Sequence, residues 1–398
     1  MCLFALVPAF LLSLLPVLSS AEPPLQDAAI SSVGADQGVY AVAEDGTVLA
    51  ALNETRPVHP ASVSKVATTL ALLDRLGPDY RFETRISGKG AISRQVLDGD
   101  LVFESQGDPF FIFESAFLVL AELRHLGVSR VNGDLRVTGP FMFNWQPDST
   151  GARLRRALTG HDGLDAWPAV ASRRPDLEGI GVQTAALKFV GTTKAAQSAP
   201  RPLMIYRSPR LLTIMKALNS YSNNVFHPLS DTIGGVKAVE RIARERIPLE
   251  QRDEIVIDNG AGAGLTNRMS PRATVSLLHA LEQEAGEHRL ALTDLLPVAG
   301  TDKGTLQDRV LSDEPRGALV GKTGTYGSIG VSALAGVIRT KTYGEVTFAV
   351  LNLGLPVPSA RERQDAFVHA VMAAGGAVPF RYDPVRSPLE QMEIEPAR

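Results

Sequence analysis

From residue 62 to residue 76 the apolar positions Val63, Val66, Ala67, Leu70, Ala71, Leu72, Leu73 and Leu76 cover nearly the whole circumference of a helix. Pro60 stands just ahead of the run and Gly77-Pro78 closes it, the usual punctuation of a helix start and end. The pattern predicts a buried core helix. Towards the C-terminus the period shortens. Residues 317–325, 329–338 and 346–351 are rich in branched side chains and broken by glycine or polar turns, so they read as neighbouring antiparallel strands. Near the N-terminus, 39–43 and 47–52 flank Glu44-Asp45-Gly46, a hairpin signal. Residues 214–221 look helical and end in polar side chains, and a closing helix is expected over about 360–374.

Strands at both ends of the chain with helices between them predict an α/β (α+β) arrangement, in which an antiparallel sheet packs against helices and a helical lobe stands beside it. The plan is interrupted by short strand-like pieces at 100–103 and 133–137 and a loop-rich stretch over 144–168. The expected division is a signal peptide over 1–21, a discontinuous catalytic domain over 22–86 and 201–398, and an inserted accessory domain over 87–200.

Composition narrows the setting. With 44% hydrophobic and 21% charged residues among 398, the chain is globular and long enough for two or three domains. A net charge of −3 without a basic block argues against nucleic acid as a partner. The apolar run over 3–18 is short for a membrane span, and Ser19-Ser20-Ala21 suits cleavage after Ala21, so export to the periplasm is expected. No Lys or Arg precedes that run, which keeps an uncleaved anchor as the alternative. After cleavage no stable membrane insertion is expected, since 381–398 lacks a basic amphipathic face. Cys2, the sole cysteine, lies inside the leader. The seven histidines are scattered, so neither a metal nor another cofactor is expected, and His59, His125 and His227 read as surface or packing residues. No feature fixes an oligomeric state.

The candidate chemistry lies in three short motifs. In Ser62-Val63-Ser64-Lys65, helical spacing puts Lys65 one turn from Ser62 on the same face. Burial among apolar neighbours would depress the lysine pKa, so a neutral amine could take the proton of Ser62. The helix start adds positive partial charge where an oxyanion would form. Lys322-Thr323-Gly324 sits on a predicted strand: Lys322 and Thr323 offer a cation and a hydroxyl to a terminal carboxylate, and Gly324 leaves room for a substrate peptide along the strand edge. Ser222-Asn223-Asn224 follows a helical segment. Taken singly, these motifs also fit a solvated helix face, a charged edge strand and a polar helix end.

Together, in this order, they resemble the S-x-x-K, S-x-N, K-T-G set of penicillin-binding proteins and class A β-lactamases. The resemblance extends to 59–62, 76–82, Gln106-Gly107-Asp108-Pro109, 131–135, 219–224, 258–265 and 296–306, covering the chain from about Gly38 to Ala374. On these residues the chain is similar to the D-alanyl-D-alanine carboxypeptidase/endopeptidase family of penicillin-binding proteins, the type-4 class C group of low molecular mass. The resemblance implies the penicillin-binding protein/serine β-lactamase-like transpeptidase fold. It implies peptidoglycan stem peptides and β-lactams as partners, Ser62 as nucleophile, Lys65 as its base and Ser222 as a proton relay. Asn224 would bind the substrate amide, Lys322, Thr323 and Gly324 the end of the substrate, and the backbone N–H groups of Ser62 and Thr325 would form the oxyanion hole.

Two departures stand out. Where the family usually places an acid that holds a free substrate amine, this chain has Thr138, with Asp148 and Asp162 the first substitutes to consider. The stretch from Ser62 to Ser222 is also shorter than in larger members, which implies a reduced insertion. A class A β-lactamase carries a Glu-x-x-Leu-Asn loop after the second motif, and none occurs between Asn224 and Lys322, where Glu254 and Asp258 are the acids nearest a glycine-rich loop. A β-lactamase and a silent penicillin-binding scaffold remain the rival readings, and carboxypeptidase and endopeptidase share the same catalytic residues.

Overall fold

The helix expected behind Ser62 is present as Lys65–Leu76, entered through a 3₁₀ turn over Ala61–Ser64 and closed at Gly77, whose φ of 74° suits glycine. Every residue from Lys65 to Leu73 is buried, as the apolar circumference requires. These coordinates come from a computed structural model that describes residues 23–195, 200, 202–310, 316–384 and 388–397; the leader and its expected cleavage point lie outside them.

The main sheet is antiparallel throughout, in the spatial order Leu319–Tyr326, Val331–Arg339, Glu345–Leu353, Gly38–Val42, Val48–Leu52. Its long strands read as continuous apolar runs because both faces are covered. Val39, Ala41, Leu334, Phe348 and Val350 face a core shared with Phe367, Val368 and Val371 of the closing helix Val357–Gly375. The alternate positions Ala333, Ala335, Ala349 and Leu351 join the larger core, with Leu277, Leu278 and Leu281 of helix Pro271–Glu287. That second helix packs in turn on the nucleophile helix. Residues over Leu211–Ser220, Phe226–Ser230 and Gly235–Glu245 complete the helical lobe.

A second sheet has six strands in the order Thr193–Ala195, Leu135–Thr138, Leu101–Ser105, Glu83–Gly88, Pro202–Arg207, Glu393–Pro396. It therefore reaches beyond 87–200 and recruits the C-terminal stretch, where Arg207 pairs with Glu395 at 2.6 Å and Arg81 with Glu393 at 3.1 Å. Pairing over such sequence distance leaves no local pattern to read. The loop-rich reading of 144–168 also needs correction, because Ala152–Leu158 is helical. Asp148 starts it by accepting from the N–H groups of Arg153 and Leu154, and Leu154, Ala157 and Leu158 bury one face. Among the described residues no helix is long and apolar enough to cross a membrane.

Candidate active site

Ser62 stands on the 3₁₀ turn, where residues three apart eclipse one another, and Lys65 Nζ lies 2.7 Å from its Oγ. The amine is fully buried and makes a 2.5 Å hydrogen bond to the carbonyl of Ala261. Burial alone drives its pKa down from 10.5 to about 7. A neutral Lys65 can thus donate to Ala261 and still accept the proton of Ser62. The turn is held in an unusual shape, since Ala61 has a left-handed φ of 46°. His59 supports it: Nδ1 accepts from Ala61 N at 3.0 Å, so Nε2 carries the proton and donates to Gly264 O at 2.7 Å. The ring is buried against Tyr326, and burial holds its pKa below the usual histidine value.

The loop that supplies the Ala261 carbonyl is organised by two asparagines. Asn259 Oδ1 accepts from Ala261 N and Ala263 N, while Asn267 Oδ1 accepts from Asp258 N and Asn259 N. Gly262, at φ 76°, passes so close that a Cβ there would lie 2.0 Å from Ala61 O.

Ser222 ends the helix Leu211–Ser220 in a Schellman arrangement: Ser222 N donates to Asn219 O and Asn223 N to Leu218 O. The position between them favours glycine, yet Ser222 occupies it at φ 54°. This conformation aims the hydroxyl at Lys322, whose Nζ donates to Ser222 Oγ at 3.0 Å and to Thr323 O at 2.9 Å. Lys322 is wholly buried. Desolvation, with the repulsion of Lys65 added, puts its pKa well below the ordinary value. Lys322, read from sequence as a partner for a terminal carboxylate, is an interior amine behind Ser222. Thr323 Oγ1 lies 2.7 Å from Thr305 Oγ1, so two hydroxyls stand together beside it.

The strand Leu319–Tyr326 is the edge of the main sheet. Its first half is covered, because Gly321 N donates to Pro297 O and Leu319 O accepts from Ala299 N. Backbone groups two residues apart point the same way, so the N–H groups of Thr323 and Thr325 also face that outer edge, which beyond Gly321 opens on the cleft. Ser62 N has no backbone partner among the described residues. Gly324 has a use beyond the one expected from sequence: a Cβ there would stand 2.6 Å from Pro60 O and 3.1 Å from Ser62 N. Its missing side chain lets the strand close on the nucleophile turn.

Asn224 lies on the exposed turn after Ser222, and its side chain has no hydrogen-bond partner among the described residues. Thr138 ends its strand opposite Glu104. Neither substitute acid is available, since Asp148 caps a helix and Asp162 is held by Arg156 at 2.6 and 2.7 Å. Glu254 is taken by Ser270 and Arg272, and Asp258 by Thr266. Among the described residues no group of three or more His, Cys, Asp or Glu side chains is placed to hold a metal. Sequence reasoning gave no role to His59, Ala261 or Thr305. Their signal lay in the stretches 59–62, 258–265 and 296–306 that carry the family resemblance.

Comparison with known proteins supplies relatives of the chain as a whole. A D-alanyl-D-alanine carboxypeptidase of Actinomadura sp. (strain R39) is 25% identical, over 92% of this chain and 86% of its own length. The penicillin G-acylated predatory endopeptidase Bd3459 of Bdellovibrio bacteriovorus, solved with immunity protein Bd3460, superposes with a TM-score of 0.71 at 22% identity, covering 89% of this chain and 96% of that one. Penicillin-binding protein 4 of Haemophilus influenzae gives 0.61 at 18% identity, covering 86% and 98%. These structural likenesses carry the fold. Residues 22–142 and 174–373 match the D-Ala-D-Ala carboxypeptidase 3 (S13) family, and on that match, more than half of its length, the chain belongs to this family of serine peptidases.

Proposed function

We propose that this chain hydrolyses D-Ala-D-Ala ends of peptidoglycan stem peptides, and D-Ala cross-links between them, through an acyl-Ser62 intermediate, and that it works in the periplasm after export by its leader. The observation that carries the reading is the buried Lys65 amine, 2.7 Å from Ser62 Oγ with a pKa of about 7. Neutral Lys65 takes the Ser62 proton as Oγ attacks the penultimate D-Ala carbonyl. The oxyanion forms between Ser62 N–H and Thr325 N–H, donors whose removal typically costs on the order of 10²–10³ in rate. Ser222, in contact with Lys322, passes a proton to the departing amine and is reprotonated at the expense of the protonated Lys65, so that the proton taken from Ser62 ends on the leaving group. Thr323 and Thr305 present hydroxyls to the substrate carboxylate, and Asn224 receives the substrate amide. Water then cleaves the ester. A β-lactam ring meets the same nucleophile, but its leaving nitrogen stays tethered to the acyl group.

Incubation of the mature protein with purified muropeptides, followed by mass spectrometry, tests the reading. Free D-Ala or split dimers are expected from the wild type and from neither substrate with Ser62→Ala. Turnover by a folded Ser62→Ala variant at the wild-type rate would remove Ser62 from the chemistry.

A further inference from the structure

A groove of about 650 Å³ adjoins the site. Lys216, Ser220 and Tyr221 line it from the helix that leads to Ser222, Asp302 and Lys303 from the turn that leads to Thr305, and Tyr382 from the C-terminal stretch. Its floor is fixed and electrically balanced. Lys216 Nζ lies 2.7 Å from Asp302 Oδ2, donates to the carbonyls of Thr293 and Leu296, and stands 4.5 Å from the centre of the Tyr382 ring, whose hydroxyl donates to Asp302 Oδ1. Its rim is different: Tyr221 is 60% exposed and Lys303 is exposed.

Only one strand of backbone separates this groove from the carboxylate hydroxyls. Thr305 N donates to Ser220 O at 2.9 Å, and a Cβ on Gly304 would fall 2.1 Å from that same oxygen, so the crossing is as close as glycine allows. On the inner side Thr305 Oγ1 meets Thr323 Oγ1. On the outer side Tyr221, next to Ser222, and Lys303, two residues before Thr305, open into the groove. The space begins where the receptor for a terminal carboxylate ends.

We propose that this groove is a leaving-group subsite for the second peptide stem of a cross-linked pair. The inference rests on the hydrolytic reading above. When the leaving group is free D-Ala, a carboxylate and a methyl group are all that must fit beyond Ser62. When the displaced amine belongs to a cross-link, its stem continues from the carbon beside that carboxylate, in place of the D-Ala methyl group, and needs room next to the carboxylate hydroxyls. A groove of this size matches the range that holds a drug-sized ligand. The exposed Tyr221 ring offers apolar contact area to that stem, and Lys303 offers a cation to its carboxylates.

The test compares Tyr221→Ala, Lys303→Glu and the double variant with wild type on a pentapeptide monomer, a cross-linked dimer and a fluorescent penicillin. Dimer cleavage is expected to fall roughly tenfold or more in kcat/KM for the double variant, the loss of one good anchor contact. D-Ala release and penicillin acylation should stay within about twofold of wild type, and Lys303→Arg should retain dimer cleavage. Dimer cleavage unchanged in the double variant overturns the subsite, as does an equal loss on monomer and dimer. A wild type that releases D-Ala but never splits dimers also overturns it while leaving the hydrolytic reading in place. A wild type inert towards both muropeptides and penicillin removes both.

Discussion

A lysine in water is a poor base at neutral pH because its amine is protonated; Lys65 escapes this by burial, which brings its pKa to about 7. The neutral form is the one that can accept the Ser62 proton. Acylation of Ser62 should therefore rise with pH through about 7 and level off above, with the slope of a single proton. Stopped-flow penicillin acylation between about pH 5.5 and 9 measures this, and a rate that is flat or falls over that window would exclude Lys65 as the base. A second buried group titrates in the opposite sense. Asp108 accepts one N–H bond from Phe110, its other oxygen has no partner among the described residues, and burial lifts its pKa to about 7. The folded chain then keeps Asp108 protonated where the unfolded chain ionises it, so this residue lowers stability progressively as pH rises from about 4 to about 7. Asp108→Asn removes that dependence. Its Tm should exceed the wild type by several degrees at pH 7.5, with the gap closing near pH 4. A lower Tm than wild type at pH 7.5 would show that ionised Asp108 has a stabilising partner.

Elements carry the site by distorting where helices begin and end. Ala61 and Ser222 both hold left-handed conformations, each costing on the order of 1–3 kcal/mol, one just before the nucleophile and one at the proton relay. Gly262 makes the first of these possible by letting the Ala261 loop approach Ala61 O. Gly262→Ala would insert a Cβ 2.0 Å from that oxygen and push the loop away, taking the Ala261 carbonyl from Lys65. We expect penicillin acylation to drop by roughly a hundredfold while Tm falls by only a few degrees, because the clash is confined to this loop and the nucleophile turn. Acylation at the wild-type rate would show that the carbonyl is dispensable. The same contrast explains what could be read beforehand. The buried helix behind Ser62 and the strands around Lys322 follow local periodicity, and they were legible. The Ala261 carbonyl and the His59 bridge depend on partners 196 and 205 residues away, and no window of sequence holds both ends, while the Thr305 hydroxyl meets Thr323 across 18 residues that show no periodicity linking them. Gly324 shows the limit from the other side: its need for a glycine was legible, but the neighbour that imposes it was not.

At the scale of the whole molecule, the acids that precede the glycine-rich loop, Glu254 and Asp258, are engaged by other parts of the fold, and that engagement bears on whether a penicillin adduct is hydrolysed or persists. Fast deacylation needs a base that can reach the ester and activate water. Glu254 is engaged by Ser270 and by Arg272 through a bidentate pair, and Asp258 by Thr266 N and Oγ1. Lys65, 2.7 Å from the Ser62 oxygen, is the base left to activate water at either ester, and it can do so once a peptide leaving group has departed. In a penicillin adduct the tethered leaving group stays in the cleft, over the path by which water would arrive. With that path covered and no positioned carboxylate, water attack lacks general-base acceleration of about a hundredfold or more. We therefore expect penicillin to form an adduct on Ser62 that persists for minutes or longer, so that the protein is inhibited by β-lactams and does not destroy them. Intact-mass measurement over time checks this, with peptide mapping to locate the adduct. Loss of the adduct within seconds, together with accumulating hydrolysed penicillin, would mean that a base does reach the ester. Glu254→Gln and Asp258→Asn would then identify it, since only the residue activating water should convert rapid turnover into a trapped adduct.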